Sequence, residues 1–434
     1  MNNCRIFQTS NKVYYIIPFD GIPNNLSNSK LWEPLDSTDD PIFSKADEFS
    51  QHISDLYKKK QIRCYRSVNG AKGWEPPMFD TEDLSFCEIF SEWQGSYLYC
   101  FSSGLSCLIV ETQFVYHYTD KNGKSRSGRH FNLYTTNEYE SLLKKFTEKI
   151  RQAKKATSKK VSPVYTYLIQ LFPNENGLFS NRPEIYTFLD SAVQSSINAE
   201  KEQYREEIKK FEQDLSQDAT LDNRLVGDVT ISSNGKCCEN IVLDGGSIFY
   251  QYVKNERYLL FKERECLLLD LNHFGTSVNG VHSLVTNSFL FTYLFALHER
   301  HALTHFISKS VCSSDSVALH SELLNLQRNY IYDVISNETR YQSFYTALLE
   351  YFGNEKLEKE LGEINDRLAE EQIRKKDNLV NLFLTYISIL SIISVLTDIH
   401  ELSGSRSATL ISAILILLLI PAGLFVIFHY RNNR

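Results

Sequence analysis

Several common functional signatures are absent from this chain. It has 434 residues and nine cysteines but no Cys-x-x-Cys pair, and Cys237 and Cys238 are adjacent rather than spaced for a metal. An odd, irregular set of this kind predicts a reducing compartment without a disulfide framework. The N-terminal stretch MNNCRIFQTSNKVYY has no basic region followed by an apolar one, so a signal peptide is not expected.

Charge and motif content exclude further classes. The net charge of −7 gives no global attraction to nucleic acid, and direct nucleic-acid binding is not expected. No Walker loop, dinucleotide fingerprint or nucleophile elbow is present. We therefore predict a protein that is not an enzyme and that has no resident metal or cofactor.

Long apolar runs are confined to the C-terminal region. Residues 378–397 and 408–428 each comprise about 20 residues, the length that a hydrocarbon core of roughly 30 Å requires. The short connection between them predicts a transmembrane hairpin. A third run, residues 283–297, is too short to span and predicts a buried core helix. Basic residues flank the outer ends of the hairpin and predict two cytoplasmic termini by the positive-inside rule: Arg374, Lys375, Lys376, Arg431 and Arg434.

The first apolar run carries a stripe of polar and then aliphatic residues. At about 100° per residue, most of its members fall within an arc of about 80°. Such a stripe predicts a pore-lining helix, although Ser, Thr and Asn also serve in helix–helix packing. A single hairpin cannot enclose a pore, so the pore interpretation requires a homo-oligomer. The predicted lining residues are Asn378, Asn381, Thr385, Ser388, Ile392, Val395 and Ile399.

A helical segment precedes the hairpin. Residues 321–376 are predicted to form a stalk between a domain at 1–320 and the membrane region at 377–434. Apolar residues at 4-3-4 spacing predict a coiled-coil-like seam, and Gly353 is predicted to end the helix before it. No proline interrupts the chain from Glu355 into the first span, which predicts one continuous helix. The seam residues are Leu357, Leu361, Ile364 and Leu368.

This arrangement resembles the CorA-type metal ion channels over roughly residues 320–434. Leu384–Thr385 lies where that family often has Leu-Thr, and the end FHYRNNR is similar to its aromatic-then-basic tail. The Gly-Met-Asn signature, which forms the outer selectivity ring in the family, is replaced here by TDIHELSG. The chain is most similar to the branch without this signature that occurs beside type III CRISPR systems. The resemblance implies a pentameric effector in the bacterial inner membrane, in contact with membrane lipids and switched by a nucleotide second messenger.

Residues 1–320 are predicted to form an α/β or α+β domain. Residues 121–123, Lys-Asn-Gly, predict a hairpin turn. Strands are predicted from β-branched and aromatic content at residues 12–19, 106–119, 248–253, 258–263 and 265–271. Helices are predicted at residues 41–60, 137–156 and 183–213, the last with a proline in its first turn.

Two clusters in this domain are candidate binding sites. The basic segment 142–160 would suit phosphates, or it forms a solvated helix face. His298, His301 and His305 share one helix face, a spacing that can bind a metal, but without a fourth ligand a packed or surface histidine face is the preferred interpretation. The candidate anion-binding residues are Lys145, Lys149, Arg151, Lys155, Arg126 and Arg129.

The sequence as a whole favours a homo-oligomeric channel with a sensing domain. Ile392, Val395 and Ile399 would form an apolar constriction that gates by dewetting. Asn378 and Asn381 would line its inner mouth, and Asp398 and Glu401 would lie at its outer mouth. A divalent cation transporter is the first alternative. A membrane-anchored enzyme or a scaffold is the second.

Overall fold

The chain divides into two compact units, Met1–Ser308 with Asn325–Lys359 and Lys309–Leu324 with Glu360–Arg434. The computed structural model describes residues 7–23, 26, 30–36, 40, 49–68, 89–119, 122–133, 136–155, 171–172, 184–195, 240–243, 247–253, 257–262, 265–270, 278–312, 316–332 and 334–403.

The first unit is built on one twelve-stranded sheet, counted over the described residues. Its strands run in the order β2-β3-β4-β5-β1-β8-β12-β11-β10-β9, with β6 paired to β5 and β7 to β1. The pair β8–β12 is parallel, whereas the other described pairs are antiparallel. The expected mixed α and β domain is thus an antiparallel-sheet domain with helices. The strands are β1 Phe7–Asp20, β2 Trp32–Leu35, β3 Ile62–Ser67, β4 Ile89–Phe101, β5 Leu105–Thr119, β6 Ser125–Gly128, β7 His130–Leu133, β8 Tyr186–Ser195, β9 Asn240–Leu243, β10 Ser247–Val253, β11 Arg257–Lys262 and β12 Glu265–Asp270.

Six helices are described. They are α1 Gln51–Lys58, α2 Thr136–Lys154, α3 Val278–Cys312, α4 Ser316–Asn329, α5 Thr339–Phe352 and α6 Asn354–Ser403. Gly353 ends α5 in the left-handed region at φ 71°, where a residue without Cβ is least strained. This confirms the predicted helix end. The predicted continuity from Glu355 into the first apolar run is also confirmed, because α6 has no break.

Strand β1 lies near the middle of the sheet, between β5 and β8. Residues 13–19 are all buried, as expected for a strand covered on both faces. In its register with β5, Tyr14 lies opposite Glu111 and Tyr15 opposite Val110. Directly opposed residues share a face and successive residues alternate, so this register assigns each side chain to one face.

One face of the sheet packs against α2. The ring of Phe146 stacks on that of Phe114 with a centroid distance of 4.1 Å and an interplanar angle of 8°. Burying such a side chain contributes about 1.5–3 kcal/mol. The whole apolar stripe of the predicted helix 137–156 is buried, which confirms it: Leu142, Leu143, Phe146, Ile150 and Ala153.

The opposite face packs against α3. Tyr99 of β4 pairs with Cys107 of β5, which lies an odd number of residues from Phe114 and so faces the other way. The ring of Tyr99 contacts Phe291 of α3 at 6.3 Å. Every side chain from 288 to 299 is buried, which confirms the predicted core helix over the side chains that the structure describes.

Two of the predicted helices differ from the structure. The prediction of a helix at 183–213 is wrong at its start, because Tyr186–Ser195 is strand β8. Strand β8 forms backbone hydrogen bonds with β1 and β12. The helix had been predicted from a proline placed as in a first helical turn. The first predicted helix begins later than expected, at Gln51. Phe49 forms an isolated bridge with Ser336 instead, and Phe43 and Ala46 lie outside the described residues.

The strand predictions at 12–19, 106–119, 248–253, 258–263 and 265–271 are confirmed over their described residues. The predicted hairpin is also confirmed: β5 and β6 pair antiparallel. Gly123 in their connection has a φ of 74°, which favours glycine.

Candidate functional site

The most unusual surface of the second unit is the apolar part of α6. From Ile373 to Ile392, every side chain except Tyr386 is exposed. Soluble proteins rarely expose a continuous apolar surface of this size to water. Among the described residues, one helix is long and apolar enough to cross a membrane, and it is this one. The second predicted span, 408–428, lies outside the described residues.

The hydroxyl groups of the predicted stripe are already bonded within the helix. Thr385 Oγ1 donates to the carbonyl oxygen of Asn381 at 2.7 Å, and Ser388 Oγ donates to that of Leu384 at 2.9 Å. Ser391, which lies beside the stripe, bonds in the same way to Ile387. Such bonds lower the cost of placing a hydroxyl away from water. The side-chain amides of Asn378 and Asn381 therefore remain the strongest polar signal of the stripe.

The described aliphatic side chains of the stripe are exposed to solvent in the single chain. Ile392 is 60% exposed and Val395 56% exposed, and Asp398 of the predicted outer mouth is exposed too. The side chains of Ile399 and Glu401 lie outside the described residues. Two of the three residues of the predicted constriction thus form a continuous apolar surface that the single chain leaves uncovered.

The predicted seam is covered by the chain itself. Leu361, Ile364 and Leu368 are buried, and Leu357 is half-buried. In the same compact unit as the first three, Leu323 of α4 is also buried. The seam is therefore not an open surface for a second subunit.

The candidate anion-binding residues of α2 differ in their exposure to solvent. On α2, Lys145 and Lys149 are half-buried at one border of the apolar stripe, whereas Arg151 and Lys155 are exposed on the outer side. Partial burial lowers the pKa of Lys149, against a raising effect of Glu148. Arg129 is exposed, and the side chain of Arg126 lies outside the described residues. Arg151 and Lys155 thus place positive charge on the outer side of α2, and phosphate binding there stays a prediction.

The three histidines point to three different surroundings. The ring of His298 is buried and stacks on Phe101 at 3.7 Å, with Nε2 3.0 Å from Ser103 Oγ. Burial lowers its pKa to about 3, and His301 acts in the same direction. His301 Nε2 lies 3.8 Å from a carboxylate oxygen of Glu184. His305 Nδ1 lies 3.4 Å from one of Asp20. Within the described part of the chain, no group of three or more His, Cys, Asp or Glu side chains could hold a metal.

Three carboxyl groups are buried among the described residues, Asp40, Asp190 and Glu299, and the sequence patterns indicated none of them. Asp40 is buried and accepts hydrogen bonds from Tyr57 Oη at 2.6 Å and Tyr99 Oη at 2.7 Å. Its polar local sequence, STDDP, is typical of a loop and gave no signal. Glu299 is fully buried on α3. The one available signal was its position directly after the apolar run 283–297.

No known protein-family model and no curated protein sequence matches this chain.

Proposed function

We propose that the protein is a CorA-like, homo-oligomeric channel of the bacterial inner membrane, with both termini on the cytoplasmic side. In this proposal a nucleotide-type ligand binds the sheet domain and controls ion passage, and the protein acts as an antiviral defence effector. The resemblance of residues 320–434 to CorA-type channels supplies the class. The missing Gly-Met-Asn signature favours an effector over a magnesium-selective transporter.

The observation that carries the proposal is the surface of α6. Its apolar part is long enough to cross a membrane and is almost entirely exposed on the single chain. Ile392 and Val395 lie about 60° apart on the helix and are both more than half exposed. An oligomer would bring copies of this surface together around an axis, where aliphatic rings exclude water and ions in the closed state.

The continuity of α6 supports the proposal that ligand binding in the sheet domain is coupled to the predicted constriction. One helix of 50 residues contains both Asn354 at its start and the predicted constriction. A helix transmits a displacement along its axis because its hydrogen bonds hold 1.5 Å per residue. In this proposal, a change at its first turn would reach the constriction along one continuous helix.

A membrane-anchored scaffold or enzyme is a second candidate, and one observation favours it. Because the hydroxyls of Thr385 and Ser388 are bonded within their own helix, they do not require water or a partner helix. In an anchor the same stripe would face lipid or a packed neighbour.

The oligomeric state and ion permeability of the full-length protein distinguish these candidates. A channel should have the mass of a homo-oligomer in detergent, a pentamer by resemblance. In liposomes it should pass ions once the activating ligand is present, and comparing magnesium with monovalent cations separates an effector from a transporter. A stable monomer would contradict the channel and favour the anchor.

A further inference from the structure

A fully buried carboxyl group connects α3 with the start of α6. Glu299 of α3 accepts hydrogen bonds through Oε2 from Tyr345 Oη of α5 and from the backbone N–H of Tyr332, the latter at 3.4 Å. Its Oε1 accepts one from Asn354 Nδ2 at 3.1 Å. Asn354 is the first residue of α6 and is itself fully buried.

The groups bonded to this carboxyl among the described residues are all neutral. Arg300, the next residue of α3, donates instead to the backbone carbonyl of Phe352. The nearby charge on α6 is the carboxylate of Glu358, which has the same sign as Glu299. The pKa of Glu299 is raised from 4.5 to about 7, chiefly by burial; the hydrogen bonds from Tyr345, Asn354 and Tyr332 oppose this rise, and the charge of Glu358 contributes to it.

The tyrosines at this site remain donors near neutral pH. Burial raises the pKa of both Tyr345 and Tyr332 well above the ordinary value, and the negative charge of Glu299 adds to it. A change of protonation near neutrality therefore belongs to Glu299. Its proton comes from bulk water and goes to one carboxylate oxygen.

The site also contains acceptors for that proton. Asn354 Oδ1 and Tyr332 Oη are buried and have no hydrogen-bond partner among the described residues. A carboxylic acid needs one acceptor for its O–H, which a carboxylate does not. Turning the Asn354 amide by a half-rotation would exchange Nδ2 for Oδ1 opposite Glu299 without moving the backbone. The neighbourhood thus supplies partners for both forms of the carboxyl.

We propose that Glu299 and Asn354 form a proton-operated latch that controls how firmly the first turn of α6 is held to α3. In the protonated form, Glu299 donates to Asn354 Oδ1 and no charge is buried. In the ionised form, three neutral donors must stabilise a buried negative charge with Glu358 nearby, and the junction opens more readily. All of these groups lie in the first compact unit, so the latch does not depend on membrane insertion of α6.

The sign of the effect follows from linkage. The pKa of Glu299 is higher in the folded state than in the unfolded chain. Its contribution to stability is therefore fully present below pH 4.5 and is lost as pH rises through about 7. The start of α6 should therefore be better protected at pH 6 than at pH 8.

The test uses full-length protein in detergent. Infrared difference titration should detect a carboxyl band that is lost with a midpoint near neutrality, and Glu299→Gln should abolish it. Hydrogen exchange of peptides covering the first turn of α6, corrected for the intrinsic pH dependence, should show lower protection above the midpoint. Peptides from α4 serve as the internal control. In Glu299→Gln the protection of the first turn should no longer vary with pH.

Two further variants move the midpoint in opposite directions and remain informative if Glu299→Gln fails to fold. Tyr345→Phe removes a bond to the carboxylate and should raise the midpoint. Glu358→Gln removes a like charge and should lower it. Asn354→Ala should keep the titrating band but uncouple it from protection of α6. A wild-type protein without a carboxyl titrating near neutrality, a band that persists in Glu299→Gln, or a common direction of shift for Tyr345→Phe and Glu358→Gln would each overturn the latch.

Discussion

Ile392 and Ile393 are consecutive residues of one helix, yet Ile392 is 60% exposed and Ile393 only 6% exposed. Successive residues of an α-helix point about 100° apart, so two aliphatic side chains of equal size lie in opposite environments. The chain covers one of them with its own residues and leaves the other available to lipid or to another subunit.

This contrast provides a matched pair for the pore hypothesis. Ile392→Ser adds a hydroxyl to every subunit of an oligomer and should hydrate the apolar ring. We expect ligand-independent ion flux in liposomes to rise by at least about tenfold, since lowering a barrier by ~1.4 kcal/mol is sufficient for that factor. Growth toxicity on expression should follow.

The control is Ile393→Ser, which introduces the same hydroxyl one position away. It removes buried apolar contact, which should lower the free energy of unfolding by about 1.5–3 kcal/mol without making the membrane leak. If the two variants show equal flux, Asn381, Thr385 and Ser388 are packing residues and this part of α6 is an anchor.

The proposed two-span hairpin predicts the membrane topology. Because basic residues flank its outer ends, reporter fusions after residue 434 should be cytoplasmic, whereas a reporter inserted between 400 and 406 should lie on the other side. Paired phosphatase and fluorescent-protein reporters check each position. Signals from the same side at both positions would exclude a two-span hairpin.

Charge reversal tests whether α2 binds phosphates. If it does, replacing Lys149, Arg151 and Lys155 by Glu should reduce binding of ATP, measured by calorimetry, by more than about tenfold, because each lost charge-assisted bond removes ~1.5–3 kcal/mol. Membrane assembly should be unchanged.

A control variant reverses three exposed lysines elsewhere, Lys30, Lys58 and Lys59, and alters the net charge equally. Equal binding by both triple variants and the wild type would identify the α2 cations as a solvated face.

His298 predicts a loss of stability in acid. Its folded-state pKa of about 3 lies below the ordinary value of 6.5, so the unfolded chain binds more protons and stability falls as pH decreases from 6.5 toward 3. The full shift of this pKa corresponds to roughly 5 kcal/mol. His298→Phe, which can retain the stacking on Phe101, should remove this part of the pH dependence of thermal unfolding.

His305→Gln is the matching control, because that side chain is exposed and the variant should retain the wild-type profile. Glu299 lowers stability as pH rises between 4.5 and 7, which is opposite to the effect of His298. The comparison therefore uses the difference in stability between variant and wild type at each pH. If thermal unfolding of His298→Phe shows the same loss of stability in acid as the wild type, His298 does not cause that loss.

Local patterns in the sequence were sufficient for several elements. The 3.6-residue periodicity of α2 identifies its buried stripe, including Phe146, and the apolar run ending at Leu297 identifies the buried part of α3. Gly353 marks a helix end because only a residue without Cβ adopts its φ without strain. These features depend on neighbours within a few residues along the chain.

Other features depend on residues that are distant in the sequence. Segment 186–195 becomes strand β8 because β1 and β12 supply its hydrogen bonds, which outweigh a local helix signal. The seam at Leu361 and Ile364 is buried within the chain, although its spacing equally suits a second subunit. Periodicity shows that a face is apolar but not what covers it.

The sequence by itself determined five of the strands, the apolar run at 378–397 and the continuous helix α6, since propensity and hydrophobic period are local properties. Only the tertiary structure decided that Ile393 is covered while Ile392 is not, and that Glu299 meets Asn354 and Tyr345 in the core. Burial and the pKa of a carboxyl depend on the solvent and charges that the folded chain places around it, and no spacing along the chain specifies these.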